Sequence, residues 1–336
     1  MKRALVLEAL ALSGCGYRGA LAPVSPEAIE LGRTFWLFFW TSWVVFGLVL
    51  LVTVVACVRG ARRLSPSVAD GKPSPDPNLE RKLRKWVTAS TVTTVIILFG
   101  LLIASVASGR RLSELEVEAP LHVHVTAHQW WWEIRYPGDK PADLLVTANE
   151  LHVPVGRPVE LELESADVIH SFWVPRITGK RDLIPSHVNG LLFRVDEPGT
   201  YPGRCAEFCG LEHARMDLAV VAELPGAFER WLSAQRRPAR EPTTELAARG
   251  ALVVTRGACA TCHNVSGTPA AASNGPDLTH FASRSLLAAG AAPMTRAGLT
   301  GWVADPARFK PGTHMPAIGL APDDLSAAVE YLEGLR

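Results

Sequence analysis

Two long stretches without a charged residue, Thr34 to Val58 and Trp86 to Ser108, dominate the hydrophobic pattern of the chain. Each is long enough for a helix to cross a bilayer, which takes ~20 apolar residues. Buried helices of a soluble domain account for them poorly. The connector between them carries Arg59, Arg62, Arg63, Lys72, Arg81, Lys82, Arg84 and Lys85, more Lys and Arg than either outer flank. By the positive-inside rule it is cytoplasmic, and both termini and everything after about residue 109 are outside. Pro73, Pro75 and Pro77 argue against one continuous helix through it.

From about Pro120 the pattern shortens to alternating runs broken by turn residues. Leu121–Thr126, Pro158–Leu163, Leu191–Val195 and Met216–Glu223 predict strands, and short strands joined by Gly/Pro turns imply a β-sandwich or barrel. The run Gln129-Trp130-Trp131-Trp132-Glu133 also suits a strand, although three consecutive Trp side chains cannot share one face. Gly226–Gln235 predicts a short closing helix, followed by a polar linker. Leu246–Arg256 and Asp323–Leu335 predict the first and last helices of a further domain. At the start, Met1-Lys2-Arg3 and the mostly apolar Ala4–Leu12 predict a secretory signal, with Glu8 a departure. It ends in Leu12-Ser13-Gly14-Cys15, which resembles a bacterial lipobox with Cys15 as the lipidated first mature residue. A lipobox requires an outer N-terminus, in agreement with the loop charges.

Composition adds limits. A chain of 336 residues has room for two or three domains, and 48% hydrophobic residues accord with membrane segments. The net charge of +1 gives no case for nucleic-acid binding. The six cysteines each have a separate account, leaving none for a disulfide although most of the chain should face an oxidising compartment. Cys15 is assigned to lipid, Cys57 lies in a span, and the other four belong to two motifs.

The first motif is Cys205-Ala206-Glu207-Phe208-Cys209-Gly210-Leu211-Glu212-His213-Ala214-Arg215-Met216. Thiolate, imidazole and thioether select copper over hard cations, and two thiolates in one loop suit a pair of coppers. A zinc site or a disulfide would call for neither the Met nor a separate His. The obvious candidate for the missing second histidine is His170, within Asp167-Val168-Ile169-His170-Ser171-Phe172-Trp173-Val174-Pro175. The second motif is Cys259-Ala260-Thr261-Cys262-His263, the attachment pattern of c-type haem, with His263 as one iron ligand. A thiol redox motif is the competing account. Gly275-Pro276-Asp277-Leu278 and Lys310-Pro311-Gly312-Thr313-His314-Met315-Pro316 follow in the order of a small class I cytochrome c. Met315 is the expected sixth ligand, with Met294 the competing choice. A His/Met pair raises the haem potential.

With these motifs the chain resembles subunit II of the haem–copper oxidases with a fused cytochrome c, the caa3-type arrangement. The resemblance implies a multidomain membrane protein: a two-helix transmembrane hairpin, an all-β cupredoxin-like Greek-key barrel, and an all-α class I cytochrome c domain. The expected division is a signal peptide at 1–15, an outer segment at 16–33, spans at 34–58 and 86–108, and a cytoplasmic loop at 59–85. A copper domain at 109–235, a linker at 236–243 and a cytochrome domain at 244–336 follow. The dinuclear CuA ligands it implies fall on His170, Cys205, Cys209, His213, Met216 and the main-chain oxygen of Glu207. It further implies a magnesium ion at the Glu207 side chain and electrons entering at Trp130, although Trp131 stands where the family usually has Tyr. His187 replaces an Arg of the family's D-x-I-P-G-R.

The expected function is to pass electrons from the bound haem to CuA and on to subunit I, where oxygen is reduced. The chain is thus a subunit of an enzyme without its oxygen-reducing metals. Expected partners are subunit I, subunit III, and an upstream cytochrome c or bc-type complex. The expected location is a bacterial inner membrane, crossed twice, with both redox domains on the periplasmic side. Fusion makes the haem-to-copper step intramolecular and weakens the need for an acidic docking patch. A CuA-containing nitric oxide reductase subunit and a membrane-anchored electron shuttle are the alternatives. The face bearing Thr88, Ser90, Thr91, Thr93 and Thr94 suits packing on a larger membrane subunit. His122 and His124 share one strand face, where a second metal site is conceivable, with ordinary surface roles as the default.

Overall fold

The computed structural model describes residues 19–63, 76–113, 119–138, 140 and 143–336. The signal sequence, Cys15, and the connector residues Lys72, Pro73 and Pro75 lie outside the described residues. The chain forms two units, one spanning Ile29–Glu116 and one uniting the residues before it with Val117–Arg336.

The first unit is built on α1 (Pro26–Arg63) and α2 (Pro77–Ser113). At 38 and 37 residues they run well past the uncharged stretches. Such helices are ~55 Å long against a bilayer core of ~30 Å. The extension has a simple cause: backbone hydrogen bonding continues through flanking polar residues, whereas only the apolar run is confined to lipid. Both helices open on a proline, which fits a first turn because its missing N–H would have no partner there. Thr34 Oγ1 donates to Ser108 Oγ at 3.0 Å, and Arg111 pairs with Glu30 at 3.1 Å. The start of α1 therefore lies beside the end of α2, making an antiparallel hairpin. Trp40, Val52 and Ile103 stay more than 60% exposed on it, a surface that only lipid or another protein can cover.

The second unit begins with a ten-stranded sandwich. Its strands are β1 (Leu121–His128), β2 (Trp131–Tyr136), β3 (Leu145–Ala148), β4 (Glu150–Pro154) and β5 (Val159–Ser165). Then follow β6 (His170–Trp173), β7 (Arg181–Leu183), β8 (Asn189–Phe193), β9 (Gly199–Cys205) and β10 (Asp217–Glu223). One sheet has the order β3-β2-β1-β5-β8 and the other β4-β10-β9-β6-β7. β1 runs parallel to β5 and β4 parallel to β10, so each sheet contains a crossover between strands distant in sequence. Alternation sets the faces: Val123, Val125 and Ala127 of β1 and Val159, Leu161 and Leu163 of β5 turn inward. They join Trp132, Tyr136, Phe172, Phe193 and Met216 in one core drawn from both sheets.

On the outer face of β1, His122 pairs with Glu160 at 3.1 Å and His124 with Glu162 at 2.9 Å. Both are cross-strand contacts that follow from the parallel register. The segment ahead of α1 lies along the sandwich, with Val24 N donating to Arg176 O at 2.9 Å and Arg176 Nε to Ala22 O at 2.8 Å. α3 (Pro225–Gln235) closes the sandwich through Phe228 and Leu232.

The C-terminal domain holds α4 (Glu245–Arg256), α5 (Arg296–Ala304) and α6 (Pro322–Gly334) around a separate core that includes Val254, Leu299, Ala328 and Leu332. Thr244 caps α4, its side chain accepting from Ala247 N at 3.1 Å.

Candidate metal centre and the cavity beside it

β9 ends on Cys205 and β10 starts after Met216, so the soft-ligand loop connects two adjacent antiparallel strands. Cys205 N donates to Met216 O at 3.0 Å, closing its base. β6 pairs with β9, which brings His170 to the same edge although it is distant in sequence. The sheet register thus decides which histidine completes the cluster.

The donor atoms form a continuous chain. Cys205 Sγ lies 3.8 Å from Cys209 Sγ, 3.9 Å from His170 Nδ1 and 3.2 Å from Glu207 O. Cys209 Sγ lies 3.6 Å from His213 Nδ1 and 3.9 Å from Met216 Sδ. A disulfide would need ~2.05 Å, so these sulfurs are unbonded. A metal–sulfur bond of ~2.3 Å puts an ion within reach of both. His170, Cys205, Cys209 and Met216 are buried, which excludes competing water ligands. Asp167 accepts from His170 Nε2 at 2.8 Å, fixing the ring so that Nδ1 faces the sulfurs. The hydrogen bond from Cys209 brings the Cys205 thiol down to about 3, and the same pairing pushes Cys209 up.

The Glu207 carboxylate, expected at magnesium, pairs with Lys180 Nζ at 3.2 Å. Gly210 has φ +113, and a Cβ there would meet Gln129 Nε2 at 3.0 Å and the Trp130 ring at 3.2 Å. Only glycine lets the loop close on that wall. Trp130 is buried in the connection between β1 and β2, with Nε1 donating to Cys209 O at 2.9 Å; Gln129 Nε2 donates to the same oxygen at 2.7 Å.

Behind Trp130 lies a cavity of about 310 Å³. Cys259, Cys262, His263, Pro276 and Met315 line it from the C-terminal domain, and His128, Trp130 and Trp131 from the sandwich. His263 Nδ1 contacts Pro276 O at 2.7 Å, which directs Nε2 away as the free ligand atom. Burial holds His263 below its ordinary pKa, keeping the ring neutral. A Cβ on Gly275 would lie 2.8 Å from His263 Cε1, so that glycine makes room for the ring. Met294 packs instead against the hydrophobic core of the domain. Lys310 is 3% exposed and donates from Nζ to Trp130 O at 2.6 Å and to Ala288 O at 3.1 Å. Burial brings this ammonium down to about 8. The two domains thus meet directly across Trp130.

Sequence reasoning named the candidate donors that the fold brings together and missed their supports. Asp167 stood in the quoted motif, three residues before His170, and Lys310 opened the K-P-G run. His128, Glu150 and Arg284, which also lie at the domain contact, had no local signal.

Residues 121–223 match the family described as cytochrome C oxidase subunit II, periplasmic domain, and residues 247–336 match cytochrome c. The chain is 36% identical to "Cytochrome c oxidase subunit 2" of Alkalihalophilus pseudofirmus, over 64% of this chain and 61% of that protein. It is 32% identical to the protein of the same name from Bacillus subtilis, over 66% of this chain and 64% of that protein. It is 30% identical to "Probable cytochrome c oxidase subunit 2" of Rickettsia bellii, over 66% of this chain and 85% of that protein. The match thus spans just under two thirds of the first two relatives. A cytochrome c domain implies haem and the subunit II domain implies copper. The residues present fit both: soft donors converge on one point, and thiols and a neutral imidazole line one cavity.

Proposed function

The chain belongs to the cytochrome c oxidase subunit II family, and we propose that it is the subunit through which electrons reach a terminal respiratory oxidase. One observation carries the reading: two sites built for redox groups lie on either side of Trp130, whose indole is bonded to the Cys209 carbonyl. When bound, haem and copper each supply a one-electron couple.

The remaining work falls to the protein. Cys205, Cys209, His170, His213, Met216 and the Glu207 carbonyl would hold the copper, expected as a dinuclear centre. Cys259 and Cys262 would attach the haem, and His263 and Met315 would ligate its iron. Ligands fixed by sheet, loop base and Asp167 move little on oxidation or reduction, which favours fast transfer. Trp130 lies on the short path between the sites and is where electrons enter the copper domain. The Glu207 side chain, paired here with the exposed Lys180, would hold a magnesium ion at the interface with subunit I.

Subunit I is the acceptor and the seat of oxygen reduction, with subunit III alongside and a cytochrome c or bc-type complex upstream. Two spans anchor the protein in a bacterial inner membrane with both redox domains on the periplasmic side. Cys15 carries the lipid.

The test is an optical and EPR spectrum of the purified complex. A c-type haem band and the multi-line signal of a mixed-valence copper pair are expected, and His170→Ala should abolish the latter while sparing the haem. A simple blue-copper signal from the unsubstituted protein would overturn the dinuclear set. Turnover of nitric oxide without oxygen would overturn the oxidase assignment.

A further inference from the structure

Two nitrogen atoms of residues lining the cavity are buried with no hydrogen-bond partner among the described residues: Arg284 Nε and His128 Nε2. They come from different domains. Arg284 belongs to the cytochrome domain, is 8% exposed, and donates from one terminal nitrogen to Asp277 O at 2.6 Å. His128 ends β1 of the copper domain, its ring stacked on Trp131 with centroids 4.4 Å apart and planes 7° from parallel. Stacking fixes the plane of that ring and so the direction of its nitrogens. An unpaired buried polar atom costs about 1–3 kcal/mol. Folded proteins seldom tolerate one.

Nearby carboxylates are committed elsewhere. Asp277 is engaged by Asn264 and by Thr279 N. One Glu150 oxygen is taken by Ser285 and Leu286, and its other faces His152. Asp167 is shared among His170 and the backbone N–H groups of Gln129 and Val168. What the cavity lacks is an anion, and haem carries two carboxylates. Resting on the electron-transfer reading above, we infer that His128 of the copper domain donates from Nε2 to a haem carboxylate, so that the group attached at Cys259 and Cys262 is held by both domains. Arg284 is the charged donor on the cytochrome side. Residues of both domains would then hold the haem beside Trp130.

Hydrogen bonding to a haem carboxylate disperses its negative charge and favours the reduced iron. His128→Phe keeps the aromatic stack and removes the donor, whereas His128→Gln keeps an N–H. Oxidase complexes carrying each are titrated by optical spectroelectrochemistry at the haem bands. The expected result is a downward shift of the haem midpoint potential in His128→Phe, with His128→Gln between it and the unsubstituted protein. Covalent haem, read from the pyridine haemochrome spectrum, and the copper EPR signal should both be unchanged. An unshifted potential in His128→Phe overturns the inference. So does an equal shift in both variants, which would report lost packing rather than a lost donor. Absence of covalent haem from the unsubstituted chain would overturn the electron-transfer reading instead.

Discussion

Glu150 is 4% exposed on β4, and one of its carboxylate oxygens accepts three hydrogen bonds from the cytochrome domain. The donors are the backbone N–H groups of Ser285 and Leu286 and the Ser285 hydroxyl, the last two at 2.8 and 2.7 Å. His152 lies beside it, with Nε2 3.9 Å from Glu150, Nδ1 3.1 Å from Glu223, and its ring stacked on Trp231 at 4.0 Å. Burial opposes ionisation of Glu150, but the pairing with His152 and the hydrogen bonds from Ser285 and Leu286 outweigh it and hold the carboxyl below 4.5. Burial likewise opposes protonation of His152, and its pairing with Glu150 and hydrogen bond to Glu223 outweigh it, raising the ring above 6.5. The Glu150 contribution is present above pH 4.5 and is lost as pH falls through its depressed value. The His152 contribution is complete below pH 6.5 and is lost as pH rises through its raised value. The thermal midpoint of the protein should therefore have a component that is highest between pH 4.5 and 6.5. His152→Gln should flatten its alkaline side; an unchanged profile would refute the coupling. Glu150→Ala strands the three donors and should cost about 3 kcal/mol, read from chemical unfolding.

At the scale of elements, alternation was a good guide to strands and a weaker one to their ends. β1 continues past Thr126 to His128 because both neighbours continue with it, Ala127 facing Ser165 on β5 and His128 facing Trp131 on β2. The first and last helices of the cytochrome domain lie within a residue of the predicted ranges, since each carries its own apolar stripe. Their packing depends on Gly250. A Cβ there would lie 1.9 Å from Ala327 O and 2.9 Å from Tyr331 Cβ, so α4 and α6 meet backbone to backbone. Gly250→Ala should force them apart at a cost of about 3 kcal/mol or more. Covalent haem content and thermal stability should fall while the copper EPR signal persists. Retention of full haem content and stability would refute this account of the crossing.

Over the whole molecule, the cytochrome domain is held against the copper domain by Glu150, by Lys310 on the Trp130 carbonyl, and by Gln235 on Ser283. A donor already docked needs no electrostatic steering. Haem-to-copper transfer should be independent of protein concentration. It should change less than about twofold as added salt shortens the Debye length from ~30 to ~8 Å. Flash photolysis of the complex reads both, and a steep fall with salt would show that the domains separate between turnovers.

The sequence by itself determined what depends on neighbouring residues: two uncharged runs long enough for lipid, strands that alternate, and ligands at fixed spacing within the loop and within Cys259–His263. Such features are legible because chain geometry over a few residues is nearly constant. Only the tertiary structure decided the parallel pairing of β1 with β5, the seat of Trp130 between the two sites, and the contacts of Glu150, Lys310, Arg284 and His128. Glu150 and Ser285 lie 135 residues apart, and Lys310 and Trp130 180 apart. At that separation a side chain finds its partner through the packing of whole sheets and domains, to which each residue contributes a little and which no short motif encodes.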